Sequence, residues 1–207
     1  DVTVHQIGDD LELRVTGGDT RVRLTGAAAD PVGTNIEEIR FEDGTAWDRP
    51  TLLAQAMLAT AGDDSLSLLD GDSLAGAGGN DDLTGRSGDE TLIGGAGEDT
   101  LRGGEGNDTY VFNLGDGQDL IADVAGVNAV EFGAGIAPAD VQVVPGLPTI
   151  VLQILDTGDR IDTGHAPDPA MALAEVRFED GTIWTSAMLV SMATTATSGD
   201  DVVYGSD

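Results

Sequence analysis

Apolar residues return at intervals of eight or nine through the middle of the chain, each set between polar neighbours. Leu66, Leu74, Leu83, Leu92, Leu101 and Tyr110 carry the series. A three-residue strand with one inward side chain, repeated after a turn, gives this pattern. Written in ninefold rows, residues 76–84 read GAGGNDDLT, 85–93 GRSGDETLI, 94–102 GGAGEDTLR and 103–111 GGEGNDTYV. Every row has Gly at positions 1 and 4, an acid at position 6 and an apolar residue at position 8. Row 59–67, ATAGDDSLS, keeps positions 4, 6 and 8, whereas row 68–75, LLDGDSLA, is one residue short. Two extra residues precede LGDGQDLIA at 114–122, and GDDVVYGSD at the end starts the same pattern again.

The glycines suit tight turns, where positive φ and close backbone approach are needed. Two rows make one coil of a flat solenoid, so the expected fold is mainly β, a parallel β-roll. On either side the pattern changes to short period-two strands, and the two flanks repeat each other. RFEDGTAW at 40–47 matches RFEDGTIW at 177–184, VTV at 2–4 matches VQV at 141–143, and GGDTRV at 17–22 resembles TGDRI at 157–161. Each flank reads as a hairpin (LELRV and TRVRL around TGGD in the first), then a strand ending at the turn EDGT. A short helix closes each: 51–60, begun by Pro50, and 185–194, preceded by the cap candidates Thr185 and Ser186. Leu52, Leu53, Ala56 and Met57, like Met188, Leu189 and Met192, form core faces. The first copy lacks the segment that precedes the second, so the chain reads as an excised piece.

Charge then narrows the chemistry. The 207 residues carry 38 acids against 9 bases, a formal net charge of -29. A nucleic-acid backbone would be repelled. There is no Cys, which removes disulfides, thiol catalysis and Cys-ligated zinc. No apolar run reaches the roughly 18 residues of a membrane span. A solvated surface would scatter its carboxylates, but stacked turns place Asp64, Asp81, Glu90, Asp99, Asp108 and Asp119 in columns. Such columns repel themselves unless a cation lies between them. Carboxylate and carbonyl oxygens at flexible turns suit Ca²⁺, with six to eight ligands, better than the strict octahedron of Mg²⁺.

The rows resemble the GGxGxDxUx nonapeptide of the RTX (repeats-in-toxin) family. The resemblance implies ions held between turns two rows apart, pairing Asp81 with Asp99, Glu90 with Asp108, and Asp99 with Asp119. It also implies carbonyl ligands around Gly78, Gly79, Ser87, Gly88, Ala96, Gly97, Glu105 and Gly106, and about three or more ions. The longer Glu90 side chain and the register of Asp72 are departures from the motif. The FEDGT-W block is similar to that of the haemolysin-type calcium-binding-related domain that accompanies such arrays. On this reading the chain comprises a partial flank at 1–60, a roll at 61–122, a complete flank at 123–195 and a new array starting at 196–207. The flanks cap the solenoid, with Trp47 and Trp184 as buried anchors and sugar-reading aromatics as the rival role.

Other chemistry lacks a signature. His5 and His165 form no zinc spacing, GRSG at 85–88 is a repeat row rather than a nucleophile elbow, and the GxG tripeptides precede strands, not helices. Carboxylate pairs of the glycosidase kind are not excluded by count. The expected function is a non-catalytic, calcium-folded module of a larger RTX-like protein, structural or adhesive. Serving as the folding and secretion module of an enzyme, or binding glycans through its flanks, are the alternatives. The resemblance implies type I secretion from a Gram-negative bacterium to the extracellular space or cell surface. The truncated first flank suggests homo-association by strand sharing.

Overall fold

The structure, a computed structural model, describes residues 2–7, 10–15, 21–24, 38–48, 59–68, 73–123, 125–145, 149–164 and 173–194. The expected helix at 51–60 falls largely outside these residues, and Asp72, His165 and the array start at 196–207 fall wholly outside them.

Alternation in the first flank produces an antiparallel sheet of β1 (Val2–Ile7), β2 (Asp10–Val15) and β3 (Arg21–Leu24), and His5 lies on β1. A separate hairpin joins β4 (Glu38–Arg40) to β5 (Ala46–Asp48). Its turn is held by Asp43, whose Oδ1 accepts the Thr45 N–H at 2.8 Å. Phe41 and Trp47 meet edge to face, with centroids 4.7 Å apart.

The ninefold rows form the roll. Rows alternate between two parallel sheets, as a chain does when each three-residue strand is followed by a turn through half a coil. One sheet stacks β6 (Ser65–Ser67), β8 (Asp82–Thr84), β10 (Thr100–Arg102) and β12 (Gln118–Ile121). The other stacks β7 (Ser73–Ala75), β9 (Thr91–Ile93), β11 (Thr109–Phe112) and β13 (Ala129–Phe132). Leu66, Leu83, Leu101 and Ile121 face Leu74, Leu92, Tyr110 and Val130 across the narrow core, and all eight are buried. Row 68–75 keeps Leu74 opposite Leu92 despite its deletion. The two-residue insertion is absorbed at 113–116, so Leu101 still pairs with Ile121. The roll also runs past residue 122, because β13 pairs in register with β11, Tyr110 with Val130 and Phe112 with Phe132.

The second flank continues both sheets. β14 (Val141–Pro145), β15 (Ile150–Ile154) and β16 (Arg160–Asp162) form an antiparallel meander whose last strand lies parallel to β12. β17 (Glu175–Arg177) lies parallel to β13 and turns back as β18 (Ile183–Thr185) into helix α1 (Ser186–Thr194). The apolar core is therefore continuous from Leu66 to Leu189. Phe112, Phe132, Phe178 and Trp184 pack in sequence along it. Trp184 is buried as expected, whereas Trp47 is only half-buried. The physical difference is the neighbour: Phe178 rests on Phe132 of the roll, and β4 has no such sheet beside it among the described residues.

Each layer of this core is one side chain thick, so a cavity in it has little to collapse upon. Leu92→Ala should cost about 2–5 kcal/mol, while Leu114→Ala, at a side chain that is half exposed, should stay within about 0.5 kcal/mol. Urea unfolding in saturating calcium checks both.

Candidate metal centre

The turns between the sheets stack as closely as their strands. Gly78 bridges to Ala96, Ser87 to Glu105 and Gly97 to Gly117. The Ala96 and Glu105 carbonyls accept the Gly79 and Gly88 N–H groups at 2.9 and 2.7 Å. The glycines at position 4 have two reasons to be glycine. Gly79, Gly88, Gly97 and Gly106 all lie at positive φ, and a Cβ on Gly97 or Gly106 would overlap the carbonyl oxygen of Gly79 or Gly88. Those at position 1 have a different reason, which is space. A Cβ on Gly76, Gly94 or Gly103 would collide with Oδ2 of Asp81, Asp99 or Asp108.

The position-6 acids line up as expected, and four of their carboxylates reach one coil back. Oδ1 of Asp81 accepts the Asp64 N–H at 2.8 Å, that of Asp99 the Asp81 N–H at 2.7 Å, and that of Asp119 the Asp99 N–H at 3.1 Å. Along the opposite edge, Asp108 Oδ1 accepts the Glu90 N–H at 2.9 Å. One oxygen of Asp81, Asp99, Asp108 and Asp119 is thus satisfied by the coil stacking. The second oxygens of Asp81, Glu90, Asp99 and Asp108 are buried without any hydrogen-bond partner. Burial raises the carboxyl of Asp81 to about 6, that of Asp108 to about 7 and that of Asp119 to about 8, with neighbouring acids adding to the effect. Asp99 moves up for the same reason. Asp64 differs, since its Oδ2 turns to the Thr60 amide and hydroxyl at 2.7 and 2.9 Å and closes the first turn.

A buried, unpaired carboxylate oxygen is costly, and the four here recur at the repeat interval. Among the described residues no three or more acidic or histidine side chains form a metal-ligand cluster. Two carboxylates per gap therefore leave most of any shell to backbone carbonyls and water, an all-oxygen donor set of the kind a hard cation takes. Residues 84–121 match the family model of the RTX calcium-binding nonapeptide repeat, in four copies. The chain carries RTX calcium-binding repeats. Residues 10–51 match the haemolysin-type calcium binding protein related domain, and no curated protein matches the chain.

The RTX columns end in residues that the repeat pattern did not single out. On one edge position 6 becomes Asn128, whose Oδ1 accepts the Asp108 N–H at 2.9 Å while its amide donates to Asp123 at 3.0 Å. Tyr110, which stands where the other rows have Leu, donates its hydroxyl to Asp123 and accepts the Gly103 N–H at 2.9 Å. On the other edge Asp116 accepts the Asn113 N–H at 2.6 Å, and Asp159 of the second flank accepts the Gly115 N–H at 2.8 Å. Burial pushes Asp116 up as well, with Asp159 contributing. Asn128 would have been visible as the sixth position of a weak row 123–131, but Asp159 reaches the roll only through the fold.

A second ladder runs along position 5 in the opposite sense. Asp63, Asn80, Asp89 and Asn107 each accept the N–H of the residue one coil on, at 2.8, 2.9, 2.8 and 3.0 Å. These side chains are exposed. The two ladders leave the inner column acidic and dry and the outer one neutral or solvated.

The raised carboxyls set the direction of a pH dependence. In the metal-free roll Asp81, Asp108 and Asp119 hold protons at higher pH than they do unfolded, so the folded state binds more protons. Its stability should therefore rise as pH falls from about 8 toward 4 and level off below. Saturating calcium needs the carboxylates ionised and should reverse the trend. The far-ultraviolet β signal at pH 8, 6.5 and 5 after treatment with a chelating resin reads the first slope, and thermal unfolding at the same pH values in calcium reads the second.

Proposed function

We propose that this chain is a structural module whose roll folds as it binds calcium. The ions lie between Asp81 and Asp99, between Glu90 and Asp108, and between Asp99 and Asp119. Carbonyl oxygens around Gly78, Gly79, Ser87, Gly88, Ala96, Gly97, Glu105 and Gly106 complete the shells, and Asp64 closes the start of the first column. The single observation behind this reading is the set of buried, partnerless oxygens on Asp81, Glu90, Asp99 and Asp108. Each faces the clearance left by a missing Cβ or lies in the same column as those that do. A divalent cation bound there removes the desolvation and repulsion terms together.

Unoccupied, the columns hold like charges in a low-dielectric stack, and the coil has too thin a core to offset them. Binding free energy then becomes folding free energy. Affinities in the range of extracellular calcium modules, about 10⁻⁴–10⁻³ M, would keep the roll open where calcium is scarce and close it outside a cell. That behaviour suits a secreted or surface protein of a Gram-negative bacterium, exported through a type I route, with this module as a stabilising or adhesive segment rather than a catalyst. Trp184 lies buried against Phe178, which leaves it no face for a sugar. Among the described residues no helix is long and apolar enough to cross a membrane.

Calcium titrated into metal-free protein should produce a cooperative gain of far-ultraviolet β signal, and magnesium should not. Asp99→Asn with Asp108→Asn, nearly isosteric, should shift the midpoint at least about tenfold to higher calcium. A trace that is flat and already folded in chelator would overturn the mechanism.

A further inference from the structure

The two flanks are built alike but end against different neighbours. In the second, Val143, Leu152 and Ile161 stand opposite one another across β14, β15 and β16. In the first, Val4, Leu13 and Val22 do the same across β1, β2 and β3. The hairpins agree as well: Val176 opposes Trp184, and Ile39 opposes Trp47. The turns share one bonding scheme, since Phe178 and Gly181 repeat the hydrogen bonds of Phe41 and Gly44.

What differs is the edge. β16 is sealed onto the roll by β12, with the Arg160 N–H on the Gly117 carbonyl at 2.8 Å. β17 is sealed by β13, with the Ala174 N–H on the Asn128 carbonyl at 2.8 Å. The matching edges of β3 and β4 carry no strand among the described residues. The residues that this pairing buries are consequently open in the first copy: Ile161 is 1% exposed and its counterpart Val22 is 51% exposed. Val176 and Phe178 are buried, while Ile39 and Phe41 are half-buried. An open, flat strand edge is a template for further pairing.

We propose that β3 and β4 of the first flank are a docking surface for the last coil of a second nonapeptide roll, which adds one parallel strand to each. The occupant is identified by the molecule's own duplicate, in which that coil, β12 with β13, covers the equivalent edges. The covalent order is that of the second copy, roll first and flank after. The flank thereby acts as a joint, closing one roll and leading into the next.

The test repeats residues 59–139 ahead of residue 1, so that Asp1 takes the place of Asp140, and compares amide hydrogen exchange with the parent chain, both in saturating calcium. In the dilute parent, the amides of 21–24 and 38–40 that point away from β2 and β5 should exchange fast, while the equivalent amides of 160–162 and 175–177 exchange slowly. In the extended chain those edge amides should slow by about 100-fold or more, and Val22→Asp should return them to the parent rate. The proposal is overturned by protection of those edge amides already present in the dilute parent, or by protection that grows only with parent concentration, the mark of self-association. It is equally overturned by edges that stay fast in the extended chain, whether or not the added roll becomes protected, since a flank that docks must also close that roll. Loss of slow exchange at 160–162 and 175–177 in the parent would instead count against the calcium-folded roll itself.

Discussion

The structure turns on carboxylates buried in columns. Stacking coils two rows apart brings the sixth side chains under the turns, where one oxygen of Asp81, Asp99 and Asp108 accepts a backbone amide and the other has no partner. In water this arrangement would not survive, and in a dry stack it is worse, because desolvation and like-charge repulsion act together. Everything else in the roll is arranged around that conflict. Gly76, Gly94 and Gly103 clear space for the free oxygens, the fourth-position glycines let the turns approach, and the single apolar residue per strand provides only a thin core.

On the proposed reading, this balance lets a chain with a formal net charge of -29 close its roll once an ion fills the columns, because a core this thin does not offset the repulsion alone. The position-5 ladder contributes coil-to-coil hydrogen bonds that do not depend on the ion, because its Asn and Asp side chains accept backbone amides at the surface. Adjacent residues thus have opposite exposure, solvated at position 5 and buried at position 6.

The ends of the roll show how such a column is stopped. Asn128 takes the place of a carboxylate, satisfies the last amide and ties itself to Asp123, so charge does not continue where no further turn follows. At the other edge Asp159 enters from the second flank, and the flank's strands carry both sheets onward. Roll and flank are one hydrogen-bonded body in the second copy. In the first copy, where no described strand covers the equivalent edges, the proposed docking would make the flank a connector as much as a cap.

The repeat period in the sequence determined the roll, its two-sheet alternation and the columns at position 6, because a ninefold spacing of Gly, acid and Leu permits few other packings. The FEDGT-W duplication likewise marked two related hairpins, down to the Asx turns of Asp43 and Asp180. Local signals stop there. That β16 and β17 join the sheets of the roll, that Asp116 and Asp159 gather near Asp119, and that Tyr110 reaches Asp123 depend on which strand edges meet. So does the contrast between Trp184, buried on a continuous aromatic row, and Trp47, half-buried in a hairpin that no other described strand joins. Hydrogen-bonding edges of parallel strands carry no side-chain signature of their partner, so only the tertiary structure decided what covers them.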